Sequence, residues 1–162
     1  MEQKMNISDI KTASGREYSV DVLESGKLQY MDSGYKFAWV PDDMKGCLHL
    51  RTCGNDKLIN EDEICVSFNT DRAVDVYIIF ADKFPVIPNW LENYERVRKN
   101  VTRQDSEPET LKGYFSMYKK TFEPGKIILN GCSPKRMLSK HYIVTMGATY
   151  CMYTVCFKTQ KS

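Results

Sequence analysis

The apolar residues of this chain come in short runs, and nearly every run ends at a turn signal. The run 18–23 stops at Glu24-Ser25-Gly26, and 47–52 stops at Gly54-Asn55-Asp56-Lys57. Such punctuation leaves little room for long helices and favours strands. In 47–52 the alternation puts Leu48, Leu50 and Thr52 on one face and Cys47, His49 and Arg51 on the other. Val76-Tyr77-Ile78-Ile79-Phe80 is apolar on both faces, as a central strand covered on both sides must be.

Further strands are expected at 28–31, 37–40, 63–68, 74–80, 114–122, 126–129, 142–145 and 149–158. Asn69-Thr70-Asp71-Arg72 reads as a hairpin connection between 63–68 and 74–80. Glu123-Pro124-Gly125-Lys126 has Pro and Gly in the central positions of a type II turn, and Asn130-Gly131 marks another turn. The one helical candidate is 85–97. Asn89 with Glu92 would form a capping box, and Trp90, Leu91, Tyr94 and Val97 fall on one face, which predicts a short helix near 89–98. Residues 99–111 are charged, lack an apolar period and read as an exposed loop.

About ten short strands and one short helix predict an all-β chain: an antiparallel β-sandwich, jelly-roll-like, with a barrel as the alternative. The 162 residues amount to one domain, 1–162. No apolar run is long enough to span a bilayer as a helix, and the polar start shows no targeting segment. A net charge of +2 argues against the concentrated basic face of a nucleic-acid binder, although Lys135, Arg136, Lys140 and His141 cluster near Tyr142.

The six cysteines raise three possibilities. Cys47 and Cys53, like Cys151 and Cys156, are not spaced as C-x-x-C, which argues against a zinc site, and no cofactor is expected. Disulfides are expected if the chain is exported, with Cys151 and Cys156 pairing elsewhere because they have opposite parity on one strand. The sequons Asn6-Ile7-Ser8 and Asn100-Val101-Thr102 fit export. A cysteine nucleophile would need a histidine base, and Cys132 with His141 is the best-placed pair.

Three stretches, taken in order, resemble a known domain. The first is Tyr30-Met31-Asp32-Ser33-Gly34-Tyr35-Lys36-Phe37, leading to Leu50-Arg51-Thr52 and Asn55-Asp56-Lys57. The second is Val66-Ser67-Phe68, Val74-Asp75-Val76-Tyr77, Asp82-Lys83 and Pro88-Asn89-Trp90-Leu91. The third is Phe122-Glu123-Pro124-Gly125-Lys126-Ile127-Ile128-Leu129. Over residues 18–131 the chain is similar to a non-catalytic β-sandwich accessory domain of exported bacterial carbohydrate-active proteins. It departs from that pattern at Ser33, at Ala81 and at Leu129-Asn130-Gly131.

The resemblance implies a binding or accessory module, with carbohydrate as the leading ligand class and an extracellular or cell-surface location. It points to Arg51, Asn55, Asp82 and Lys83 as hydrogen-bonding groups, with Trp90 and Tyr35 as stacking platforms. The competing structural roles are Trp90 and Leu91 packing the helix, Trp39 in the core, and an Arg51–Asp82 ion pair. The alternatives in function are an extracellular protein-interaction or structural domain and a small hydrolase using Cys132 and His141. A cytoplasmic location, with all six cysteines reduced, is the alternative setting.

Overall fold

The runs 63–68 and 74–80, expected to pair as a hairpin, are both central, but in different sheets. The computed structural model describes residues 5–32, 34–82, 84, 86–104, 112–135 and 151–159. Among these are ten strands: β1 (Ile7–Thr12), β2 (Ser19–Val22), β3 (Lys36–Trp39), β4 (Leu48–Arg51), β5 (Ile64–Thr70), β6 (Val74–Ala81), β7 (Glu95–Gln104), β8 (Lys112–Phe122), β9 (Gly125–Asn130) and β10 (Thr154–Thr159). β5 lies between β1 and β9 in a three-stranded sheet. β6 lies between β10 and β8 in a seven-stranded sheet of order β2-β4-β10-β6-β8-β7-β3. All strand pairings within the sheets are antiparallel, and the architecture is an all-β sandwich curled into a half-barrel.

The expected hairpin over residues 69–72 is therefore not formed. Every residue of β6 is buried, whereas β5 is apolar on the face of Val66 and Phe68 and carries Cys65, Ser67 and Asn69 on the other. Set in separate sheets, the two strands bury their apolar faces by stacking, as Phe68 does on Phe157, rather than by sharing one edge. The chain also crosses between sheets after β8, where Gly125 at φ 129° supplies a backbone conformation that side-chain-bearing residues disfavour.

Cross-strand partners share a face, so the register sorts the core. Leu50 pairs with Val155, which pairs with Ile78; Leu48, Phe157 and Val76 form the next row. This face meets the three-stranded sheet, where the ring of Phe68 packs edge-on against Phe157 at 5.4 Å. Each such fully buried apolar side chain contributes about 1.5–3 kcal/mol. The opposite face lines the inside of the half-barrel: His49 pairs with Cys156, which pairs with Tyr77, and Phe37 pairs with Arg103. Phe37 and His49, from near the two ends of the sheet, meet at 5.1 Å and close the curl.

The helix expected near 89–98 is reduced to a 3-10 turn, Asn89–Asn93. A single turn has little stability of its own, and from Glu95 the chain joins β8 in a long ladder. The capping box is absent. Instead the buried Glu61 accepts the Asn89 amide at 2.7 Å and the Lys135 amide at 3.1 Å. Residues 99–104, expected in an exposed loop, belong to β7, and Arg103 is buried. Leu28 and Tyr30 make isolated bridges rather than a strand, and β1 arises in a segment that gave no strand signal. The expected strand 142–145 lies outside the described residues. Among the described residues no helix is long and apolar enough to cross a membrane.

All six cysteines are thiols, which corrects the expectation of disulfides. Four are buried, where they pack as small apolar groups. Burial pushes the Cys132 thiol well above its ordinary value, so it is protonated rather than a ready nucleophile. His141 lies outside the described residues.

Candidate functional site

Among the described residues, two places gather exposed aromatic and polar groups. The first is the outer face of β3, β7 and β8. Trp39 pairs with Thr102, and Thr102 pairs with Tyr114. Trp39 and Tyr114 are each 52% exposed, while Thr102 between them is half-buried. Phe37 pairs with Arg103 and Val101 with Phe115; these inward rows are buried. Trp39 reaches the outside because β3 carries an irregularity between Phe37 and Trp39. Residues two apart on a regular strand share a face, and a one-residue bulge breaks that rule. The alternative that placed Trp39 in the core is thereby set aside.

Polar groups flank this row. Asn100 pairs with Ser116 and is exposed. The Asp82 amide donates to the Tyr114 carbonyl at 2.9 Å. The Asp82 carboxylate accepts the Ser116 hydroxyl, whose oxygen accepts from Arg96 Nη2 at 2.9 Å. Asp82 thus stands beside the aromatic row, engaged with Ser116 rather than in the expected pair with Arg51.

The second place is the rim of the half-barrel. Tyr35, 37% exposed, lies edge-on to Tyr30 at 6.5 Å, and the Arg103 guanidinium sits 4.2 Å from its ring centre. Arg103 Nη1 also donates to Gln29 Oε1 and the Tyr30 hydroxyl, both at 3.4 Å. Arg51 Nη2 donates to the Tyr30 carbonyl at 3.0 Å. The Asp32 carboxylate accepts the amides of Gly54 (2.7 Å) and Asn55 (3.1 Å), which holds the 3-10 turn Gly54–Leu58 against the rim. Asn55 itself is exposed.

Three of the six expected site residues, Tyr35, Arg51 and Asn55, therefore come together at the rim. Asp82 belongs to the outer face. Trp90 is a packing residue: its ring meets Tyr94 at 5.7 Å and Tyr153 at 5.6 Å, and its Nε1 donates to the Gly131 carbonyl at 2.9 Å. Its neighbour Leu91 is buried, in keeping with the packing alternative. Lys83 lies outside the described residues. Sequence reasoning missed Tyr114. The alternation Tyr114-Phe115-Ser116-Met117 carries the signal, with Phe115 and Met117 turned inward and buried.

No protein-family model matches this chain, and no curated protein matches it. Solved structures do. A β-glucuronidase from glycoside hydrolase family 2 aligns over 94% of this chain and 14% of its own, at 20% identity and a TM-score of 0.71. A GH138 enzyme targeting pectin rhamnogalacturonan II aligns over 97% of this chain and 17% of its own, at 13% identity and a TM-score of 0.54. The likeness is one of fold. A β-sandwich of this fold forms part of both of those chains, and this chain spans a small part of their length.

Proposed function

We propose that this domain is a non-catalytic carbohydrate-binding module whose contact surface is the outer face of β3, β7 and β8. The observation that carries the reading is the pair of half-exposed rings, Trp39 and Tyr114, in register on either side of Thr102. A pyranose has apolar C–H faces and a polar hydroxyl edge, so it suits aromatic rings flanked by polar side chains. Asn100, Asp82 and Arg96 supply that flank. The fold shared with parts of glycoside hydrolase chains supports the ligand class.

Affinity electrophoresis of the full chain in gels containing plant and bacterial polysaccharides tests the reading. Retardation by at least one polysaccharide is expected, and Trp39→Ala and Tyr114→Ala are each expected to weaken it about tenfold, or ~1.4 kcal/mol per ring. Unretarded migration in every gel, with a folded protein, overturns it. With the reading goes an extracellular or cell-surface setting, where polysaccharide is met. Protease treatment of intact cells checks this: loss of the domain supports it, and protection counts against it.

A further inference from the structure

We infer that the ligand of the aromatic face is an extended, β-1,4-linked chain of at least three sugar rings, laid across the strands. This deepens the carbohydrate reading and rests on it.

Trp39, Thr102 and Tyr114 are successive cross-strand partners, so they form one row perpendicular to the strands. Two inter-strand spacings separate the outer members, roughly 10 Å. Among the described residues no comparable row runs along a strand. On β8 the next residue outward from Tyr114 is Ser116, which is buried and bonded to Asp82 and Arg96; on β7 the next beyond Thr102 is Asn100. The exposed rings therefore define a line across β3, β7 and β8.

That line selects a type of glycan. In a β-1,4-linked chain with equatorial bonds, each ring is turned by about half a rotation from the last. Alternate rings then present the same face to the same side, separated by a distance on the order of the two-strand spacing. The first and third sugars stack on Trp39 and Tyr114. The middle sugar lies over Thr102, whose small side chain leaves space and whose hydroxyl can bond its edge. An α-1,4-linked chain curls away and cannot lay two alternate rings flat on one straight row. The exposed Asn100 amide, beside Thr102 on the same face, offers a donor and an acceptor to the hydroxyl edge of the chain.

Isothermal titration of the full chain tests this with cello- and manno-oligosaccharides as disaccharide, trisaccharide and hexasaccharide, and with malto-oligosaccharides of the same lengths. At least one β-1,4 series is expected to gain about tenfold in affinity from disaccharide to trisaccharide. Trp39→Ala and Tyr114→Ala should each return the trisaccharide to the disaccharide level, while Tyr35→Ala at the rim leaves it unchanged. Thr102→Glu, which places a long charged side chain between the rings without removing either, should abolish the trisaccharide gain. Two results overturn the inference while leaving the carbohydrate reading in place: a disaccharide that binds as tightly as the hexasaccharide, or malto-oligosaccharides that bind as tightly as the β-1,4 series. Loss of binding in Tyr35→Ala but not Tyr114→Ala overturns the inference and moves the contact surface to the rim. Absence of binding to every sugar and every polysaccharide overturns both.

Discussion

The hydroxyl of Tyr18 donates to the carboxylate of Asp56 at 2.5 Å, and both residues are buried. Ser14 Oγ at 3.0 Å and Arg16 Nη1 at 2.7 Å complete the carboxylate's partners. The cluster ties the segment before β2 to the 3-10 turn Gly54–Leu58, beside the rim. Burial, with Cys65 and Asp56 close by, raises the Tyr18 pKa and keeps its hydroxyl protonated as a donor.

Tyr18→Phe removes one donor to a charged acceptor and is expected to cost about 2 kcal/mol. Asp56→Ala leaves a buried hydroxyl without its acceptor and is expected to cost about 3 kcal/mol. Urea unfolding followed by circular dichroism measures both. A midpoint unchanged in either variant would show that the cluster is not structural.

Gly131→Ala should be more damaging than its size suggests. A Cβ at this position would lie 2.2 Å from the carbonyl oxygens of Ile59 and Asn60, which are backbone and cannot swing aside. The close approach is held by the Gly131 amide donating to the Glu63 carbonyl and the Ser133 amide donating to the Ile59 carbonyl, both at 2.9 Å. A loss on the order of 3 kcal/mol is expected. That lowers Tm by about 10 °C in a domain of this size. A melt superimposable on wild type would mean that the two segments can part cheaply.

His49 should make the fold sensitive to mild acid. Burial inside the half-barrel lowers its pKa to about 4; Arg51 acts in the same direction and Asp21 against it. The unfolded chain takes up this proton near pH 6.5. Between about pH 6.5 and 4 the unfolded state therefore holds the extra proton, and stability falls as pH falls through that window. The full effect is about 3 kcal/mol, and it levels off below about pH 4. Carboxylates titrate in part of this range, so the measurement is the difference between wild type and His49→Leu. The wild-type advantage should shrink on acidification; parallel pH profiles would contradict a neutral buried imidazole.

The two tryptophans should separate by fluorescence. Trp39 is half exposed on the outer face, whereas Trp90 is held by Gly131, Tyr94 and Tyr153. Trp39→Phe is expected to leave a blue-shifted emission that acrylamide quenches poorly. Red-shifted, readily quenched emission from that variant would place Trp90 in water instead.

Thiol labelling gives an independent check on the core. Cys53, Cys65, Cys132 and Cys156 are buried, and burial raises their pKa values, that of Cys53 to about 11. Cys47 and Cys151 are half-buried. Under native conditions two cysteines should react with Ellman's reagent ahead of the others, and all six only on unfolding. Immediate reaction of all six in the native protein would show that these interiors open readily.

Some of this was readable along the chain. The faces of 47–52 are as the alternation predicts, and β6 is covered on both sides as its composition requires. The resembling stretch around Asp32 and Asn55-Asp56-Lys57 proves to hold the rim turn together through Asp32 and Asp56. The short-range helical pattern of Trp90, Leu91, Tyr94 and Val97 misled, because the partner that made residues 95–104 a strand is β8, farther along the chain. Arg103 looked like solvated charge and is instead enclosed by Tyr35 and Phe115, which only the closed curl brings to it.

The all-β class, the sidedness of β4 and the full burial of β6 followed from the order of residues along the chain. That information is local, because the pleat turns successive side chains to opposite sides. Tertiary structure decided which strands pair, and with that where the aromatic rings come together. Pairing partners lie far apart in sequence, and a one-residue slip in register exchanges buried and exposed faces. The irregularity between Phe37 and Trp39 does this once, turning Trp39 out to stand in line with Thr102 and Tyr114.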